Sequence, residues 1–420
     1  MQITPAQFNG LVEALTVVLP LVTPVDVTLK HFFRDHPQMG VRDRAVIAET
    51  IYAILRRRRM LEFLVPHGAP RRMALAGLVK LNGVSMKQMA PLLKRGDEEW
   101  LGPVRAAAAA ELPFEIRADL PDWVIARLRK VMDDVQILAL AQGLQGTAPL
   151  DLRVNTVLAR REDVLAEFAA EAISALPTPH SPFGIRLPQK IALNRHPLFL
   201  SGKVEVQDEG SQILGLLLEA RRGEMVVDFC AGAGGKSLLL GAIMQSKGRI
   251  YAFDVSEKRL QNLGPRLKRS GLSNLFPNRI DSENDPKIKR LAGKIDRVLV
   301  DAPCTGLGTL RRNPDLKWRQ TETGLAELNV KQTSILAAAA RMVKPGGRLV
   351  YGTCSILREE NEAIVAAFLL AHPQFRLIPV AEVLARLKIA IPGAGDFLRL
   401  TPHEHHTDGF FAAVIERIAP

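Results

Sequence analysis

The sequence predicts an α/β protein of more than one domain: a helical N-terminal region, a small α/β subdomain, and a C-terminal parallel sheet covered by helices on both faces. Three observations predict it. The chain has 420 residues, too many for one ordinary core, so two or three domains are expected. From Pro5 to about Gly143 apolar residues recur at helical spacing, as in Phe8, Leu11, Leu15 and Val18. From Gln207 onward strand-like and helix-like segments alternate, which is the pattern of a parallel sheet.

The N-terminal helices (residues 1–143) are punctuated by Pro37, Gly40, Gly68, Pro70, Gly83, Pro91 and Gly102. One long pattern runs through Val46, Ile47, Ile51, Ile54 and Leu55 and ends on Arg56-Arg57-Arg58-Arg59, where cations suit a helix C-terminus. That tract reads equally as a solvated helix end or a nucleic-acid contact. The pattern changes near Pro149. Leu150 to Val154 alternates as a strand, a helix follows over Arg161–Glu171, and short strands run to Val206. These residues, 144–206, form a small α/β subdomain, either separate or a lid. In the last region, 207–420, buried strands are predicted at Met225–Phe229, Arg249–Asp254, Asn274–Ile280, Arg297–Asp301, Arg348–Gly352 and Gly409–Ile415.

Composition narrows the function. Hydrophobic residues at 47% and charged residues at 24% exclude disordered and collagen-like classes. A net charge of +12, from 56 Lys+Arg against 44 Asp+Glu, points to a polyanionic partner: RNA, DNA or anionic membrane. Only 3 cysteines occur, with no CxxC spacing, so neither a disulfide framework nor a zinc site is expected, and a reducing compartment is. Leu11 to Val22 is interrupted by Glu13, and no apolar run is long enough to span a bilayer, so a cytoplasmic protein without membrane contact is expected. His403-Glu404-His405-His406 has no further ligands to complete a shell and reads as a solvated loop, with no metal. A monomer is expected.

Cys230-Ala231-Gly232-Ala233-Gly234-Gly235-Lys236-Ser237 follows a strand and opens a helix, so its amides are poised to meet a ligand at a helix N-terminus. A triphosphate P-loop would need glycine at position 230, which is Cys230. A dinucleotide fingerprint would need a third glycine just beyond Gly234-Gly235, where Lys236-Ser237 stand instead. Asp254 ends the next strand, Asp281 follows the third and Asp301 ends the fourth. Carboxylates along the carboxyl edge of the sheet suit ribose hydroxyls, an adenine amino group and an ammonium, and would repel a pyrophosphate. S-adenosylmethionine has those groups and no phosphate, so the row tilts the choice to a methyltransferase.

Cys304, in Asp301-Ala-Pro-Cys304, and Cys354, in Tyr351-Gly-Thr-Cys354-Ser, each lie just past a strand end. Two thiols beside a methyl donor suit methylation of cytosine carbon 5. One thiolate adds at carbon 6 to make carbon 5 nucleophilic, and a second group helps to undo the adduct. A free thiol is only a few per cent ionised at neutral pH, so activation is required. Asp301 can hydrogen-bond the cytosine edge and favour a proton on ring nitrogen 3. Strand position alone leaves the two thiols tied.

The run from Asp301 through Cys304-Thr-Gly-Leu-Gly-Thr-Leu-Arg-Arg-Asn-Pro-Asp-Leu-Lys to Trp318 resembles the RsmB/Sun/Fmu family of RNA (cytosine-5)-methyltransferases. Tyr351 to Ser355, Glu359-Glu360-Asn361-Glu362, Gln207 to Ser211 and Asp408-Gly409-Phe410-Phe411 carry the same resemblance, over about residues 150–420. It implies a Rossmann-like class I methyltransferase sheet, S-adenosylmethionine as cofactor, and RNA, foremost 16S ribosomal RNA, as partner. It implies Cys354 as nucleophile and Cys304 as the residue assisting release; DNA cytosine methyltransferases use a Pro-Cys cysteine, which keeps Cys304 as the alternative nucleophile. Cys230, Ala231, Gly232, Ala233, Gly234, Gly235, Lys236, Asp254, Asp281 and Asp301 match the family's cofactor contacts, Cys230 through its backbone. The family's loop has Ala-Pro where Gly232-Ala233 stand, which predicts a looser turn. Arg311, Arg312, Lys317 and Trp318 mix cations with an aromatic, as single-stranded RNA surfaces do. Leu29 to Arg34 and Gly40 to Arg44 resemble a NusB-like helical domain, which implies RNA binding; packing on the enzyme is its alternative. A tRNA substrate, or a non-enzymatic RNA-binding assembly factor of the same fold, are the rival functions.

Overall fold

The computed structural model describes residues 3–65, 68–189 and 191–419. It divides into two compact units, Met1–Thr147 with Thr309–Glu322, and Ala148–Gly308 with Thr323–Pro420.

The first unit is helical. Its core joins Leu11 and Leu15 of helix Pro5–Val18, Ile47, Ile51 and Ile54 of Val41–Arg56, and Leu75 and Leu78 of Pro70–Lys80. Thr4 caps the first helix by accepting from the Gln7 amide, and the Thr4 amide in turn donates to Gln7 Oε1. The long pattern that ends on four arginines breaks at Arg57 (φ −119°), and a second helix runs over Arg58–Leu64. Each of the four arginines has a partner within the unit. Arg56 donates to the Arg311 carbonyl at 2.8 Å, Arg57 to Gln145, Arg58 to Glu62 at 2.7 Å, and Arg59 to Asp122 at 2.6 Å. The tract is half-buried at a helix break and each arginine has a protein partner, so it is not a freely solvated helix end.

The segment Thr309–Glu322 belongs to this helical unit although it follows the Pro-Cys turn in sequence. Asp119, fully buried, accepts from the amides of Arg59 and Met60 at 3.2 Å each and from Lys317 Nζ at 3.1 Å. Lys317, 2% exposed, also donates to the Arg56 carbonyl, and Trp318 Nε1 donates to the Leu55 carbonyl at 3.3 Å. Burial pulls the Lys317 ammonium below its ordinary range, against the pull of Asp119. Lys317 and the buried Arg311 are therefore packing residues, not the RNA surface expected of them, and Trp318 is half-buried by the same docking. Arg312 is half-buried.

In the second unit, strands β1 (Leu150–Val154), β2 (Leu176–Pro177), β3 (Gly184–Leu187) and β4 (Val204–Val206) form an antiparallel sheet in the order β2-β3-β1-β4. Val164 and Phe168 of helix Arg161–Ala170 cover it. The larger sheet has eight strands: β5 (Met225–Asp228), β6 (Arg249–Asp254), β7 (Leu275–Arg279), β8 (Ile295–Asp301), β9 (Val343–Thr353), β10 (Phe375–Ile378), β11 (Phe397–Leu400) and β12 (Phe410–Arg417). Their order is β10-β12-β9-β8-β5-β6-β7, with β11 also paired to β12. The central strands β6, β5, β8 and β9 are mutually parallel, as is β7 at the edge; β12 runs antiparallel to β9.

Apolar residues alternate between two covered faces, which is why these strands read as nearly continuous hydrophobic runs. Val226, Leu299, Val350 and Val414 pack under Ile213, Leu217, Leu238 and Leu240; Val227, Val300, Tyr351 and Ile415 pack under Ile335, Leu336, Val365 and Phe368. Strand β9 begins at Val343, ahead of the predicted Arg348, because Ile295 pairs with Val343 across a register shift around Pro345-Gly346-Gly347.

Candidate active site

The parallel strands deliver the site residues to one edge. Strand β5 ends at Asp228, the loop 229–234 follows, and helix Gly235–Ile243 begins. Gly234 has φ +80° and a Cβ there would meet Leu263 Cδ1 at 2.2 Å, so the helix entry requires glycine. Gly232 has φ +56° and open space where a Cβ would stand.

The turn without proline is held by side chains instead. The Gly232 amide donates to Asp254 Oδ2 at 2.8 Å, the Ser256 amide to Asp254 Oδ1 at 2.7 Å, and Gly234 closes onto the Ala231 carbonyl at 2.8 Å. Arg266 donates to the Ala233 carbonyl at 2.6 Å, and Arg153 of β1, 2% exposed, to that of Gly235 at 2.7 Å. Arg266 and Arg269 both pair with Glu205 of β4. The small sheet therefore braces the glycine loop, a role that 144–206 gave no sign of in sequence because it depends on partners far along the chain.

Ser237 Oγ donates to Asp228 Oδ2 at 2.6 Å, while Asp228 Oδ1 is buried without a partner among the described residues. Burial pushes the Asp228 carboxyl up to about 6, against that hydrogen bond. The open cradle at Gly232, the unsatisfied Asp228 oxygen and the acid ending β6 suit a ligand with amine and hydroxyl donors. Asp281 lies just past the end of β7 with its side chain exposed and 3.2 Å from Arg279.

Lys236 is 8% exposed and its Nζ lies 2.6 Å from Asp301 Oδ2 at the end of β8. Burial disfavours the ammonium, but Asp301, Asp228 and the Cys354 sulfur outweigh it and raise Lys236 above its ordinary value. The same Nζ stands 5.5 Å from the centroid of Phe410.

Strands β8 and β9 are neighbours, with Asp301 opposite Gly352, and this brings the two cysteines past their ends together: Cys304 Sγ is 3.4 Å from Cys354 Sγ. The Cys354 carbonyl accepts from the Gly308 amide at 2.8 Å, and the Gly308 carbonyl from the Gly409 amide at 2.8 Å. A Cβ on Gly308 would meet the Gly409 oxygen at 2.3 Å, and one on Gly409 would meet Gly308 Cα at 2.8 Å, so the close approach explains both glycines. Cys304 is pushed well above the ordinary thiol range, first by its hydrogen bond to Cys354, then by burial and nearby negative charge. Burial does the same to Cys230, with Asp228 assisting.

Other motif residues build the frame. Asp208 caps helix Glu209–Leu216 at the Gly210 amide (2.8 Å), Gln207 binds Arg153, and Glu209 accepts from the amides of His180 and Ser181. His405 turns inward to the Pro392 carbonyl at 3.1 Å rather than lying in a solvated loop, and the described residues contain no group of three or more His, Cys, Asp or Glu that could hold a metal. No described helix is long and apolar enough to cross a membrane. The buried Glu360, with Thr305, Ser355 and Gln332 around it, escaped the sequence reading as a site residue; the signal was the hydroxyl residue directly after each cysteine.

A glycine turn from β5, an acid closing β6, and an antiparallel β12 beside β9 in a sheet of this order define a class I methyltransferase domain. Comparison with known proteins agrees. Residues 215–416 match the model described as 16S rRNA methyltransferase RsmB/F, and residues 120–194 match the RsmF/B-like ferredoxin-like domain. The probable ribosomal RNA small subunit methyltransferase B of Synechocystis sp. is 31% identical, over 93% of this chain and 95% of that protein. The ribosomal RNA small subunit methyltransferase B of Yersinia pseudotuberculosis is 34% identical, over 70% of this chain and 66% of that one. Among solved structures, PH0851 superposes with a TM-score of 0.79 at 27% identity, covering 99% of this chain and 100% of that one. A methyltransferase homolog from Pyrococcus horikoshii gives 0.63 at 28% identity, over 74% of this chain and 100% of the other. The chain belongs to the RsmB/F methyltransferase family.

Proposed function

We propose that this protein transfers a methyl group from S-adenosylmethionine to carbon 5 of a cytosine in small-subunit ribosomal RNA. The observation that carries the reading is the contact of two sulfurs, Cys304 and Cys354, beside the Lys236–Asp301 pair. S-adenosylmethionine, held by the glycine loop, Asp254 and neighbouring acids, supplies an electrophilic methyl group. Cys354 as thiolate adds to carbon 6 of the base, and the former C5–C6 π electrons make carbon 5 nucleophilic. Asp301 faces the base edge and favours a proton on nitrogen 3. After methyl transfer a base takes the carbon 5 proton and the C6–sulfur bond breaks. Cys304 donates its S–H to the departing sulfur, which lies within its reach at 3.4 Å. Arg312 and the net charge of +12 support RNA as the partner.

The relatives' names support the ribosomal substrate over transfer RNA. Bisulfite sequencing of RNA from a deletion strain tests it. One small-subunit cytosine that resists conversion in the parent and converts in the deletion strain is expected; loss of protection confined to transfer RNA would replace the substrate.

A further inference from the structure

We propose that Glu360 is the positioning residue of the thiol pair: its buried carboxylate joins the residue after Cys304 to the residue after Cys354 and so holds the two sulfurs in contact. The inference rests on the two-thiol reading above and adds to it. Glu360 is fully buried. Oε1 accepts from the Thr305 amide at 2.8 Å and from Gln332 Nε2 at 3.0 Å; Oε2 accepts from the hydroxyls of Thr305 and Ser355. Four donors surround two oxygens, the complement of an acceptor-only carboxylate. Gln332 carries the tie further, donating to the Pro303 carbonyl at 3.0 Å. The next residue completes the grip on the second loop: Asn361 accepts from Thr353 Oγ1 at 2.5 Å and donates to the Ser355 carbonyl at 3.0 Å. Both neighbours of Cys354 and both neighbours of Cys304 are thus fixed by one dipeptide and one glutamine.

The charge also breaks the tie between the thiols. Glu360 places negative charge on the Cys304 side, where it opposes ionisation of that thiol, and Lys236 places positive charge within electrostatic reach of Cys354.

Alkylation of the full-length protein by iodoacetamide across a pH series, with peptide mass spectrometry counting each cysteine, tests this without RNA or cofactor. In the wild type Cys354 is expected to react about tenfold faster than Cys304 at neutral pH, because burial and the Glu360 charge oppose ionisation of Cys304. Glu360→Gln keeps the shape and removes the charge; it should bring the two rates within about threefold and lower the pH at which Cys304 reacts. It should also lower kcat by about 100-fold with KM for S-adenosylmethionine little changed, and Glu360→Asp should restore part of the selectivity. Wild-type selectivity in Glu360→Gln would overturn the proposal and leave Glu360 a brace of the fold. Should Glu360→Gln fail to fold, Thr305→Val and Ser355→Ala each remove one donor and should each narrow the rate ratio; an unchanged ratio in both overturns it equally. Failure of the two-thiol reading shows separately, as methylation surviving Cys354→Ala.

Discussion

Cys354→Ala is expected to abolish methyl transfer, by about 10⁴-fold or more, and to leave no RNA attached to the protein. Cys304→Ala is expected to do the opposite: addition and transfer proceed, release stalls, and the enzyme accumulates bound to methylated RNA as a slow band on a denaturing gel. The expectation follows from the 3.4 Å sulfur contact and from the electrostatic setting, with Lys236 coupled to Cys354 and Glu360 to Cys304. An adduct in Cys354→Ala instead would swap the two roles. Two similar, partly active variants without adduct would make both cysteines structural.

Asp119→Ala is expected to destabilise the helical unit by about 3–5 kcal/mol, the cost of leaving a buried charge without its partner. The alanine removes the acceptor of Lys317 Nζ and of two buried amides, those of Arg59 and Met60. Adding Lys317→Met should recover part of the loss, because the stranded ammonium goes with it. Urea denaturation of the single and double variants measures both effects; a loss under about 1 kcal/mol in Asp119→Ala would mean that Lys317 finds water. The same docking means that cutting the chain at residue 143 strips the packing from Thr309–Glu322 along with any RNA-binding surface.

Strands β5, β6 and β8 were legible because covered parallel strands concentrate Val, Ile and Leu between turn residues, and β6 falls on its predicted limits, Arg249–Asp254. The early residues of β9 were not, since Pro345-Gly346-Gly347 has the composition of a loop and falls in the register shift between Val343 and Arg348, both of which pair with β8. The placement of the candidate site at one sheet edge was legible where its residues sit in contiguous motifs: the glycine loop, Asp301, Cys304 and Cys354. It was obscure where long-range pairing decides. Arg311, Lys317 and Trp318 read as an RNA surface from composition, and only Asp119 and Leu55, some 200 residues or more away, reveal them as packing. Arg153 and Arg266 likewise reach the glycine loop from other elements, and Glu360 lies 55 residues from Thr305.

The central claim is that the thiol pair acts on carbon 5. RNA transcribed with tritium at carbon 5 of cytosine measures this directly. Purified protein with S-adenosylmethionine should release one tritium to water for each methyl group transferred, with the released tritium lagging behind transfer in Cys304→Ala. Methyl transfer that leaves the tritium in the RNA would place the methyl on another atom and contradict the account.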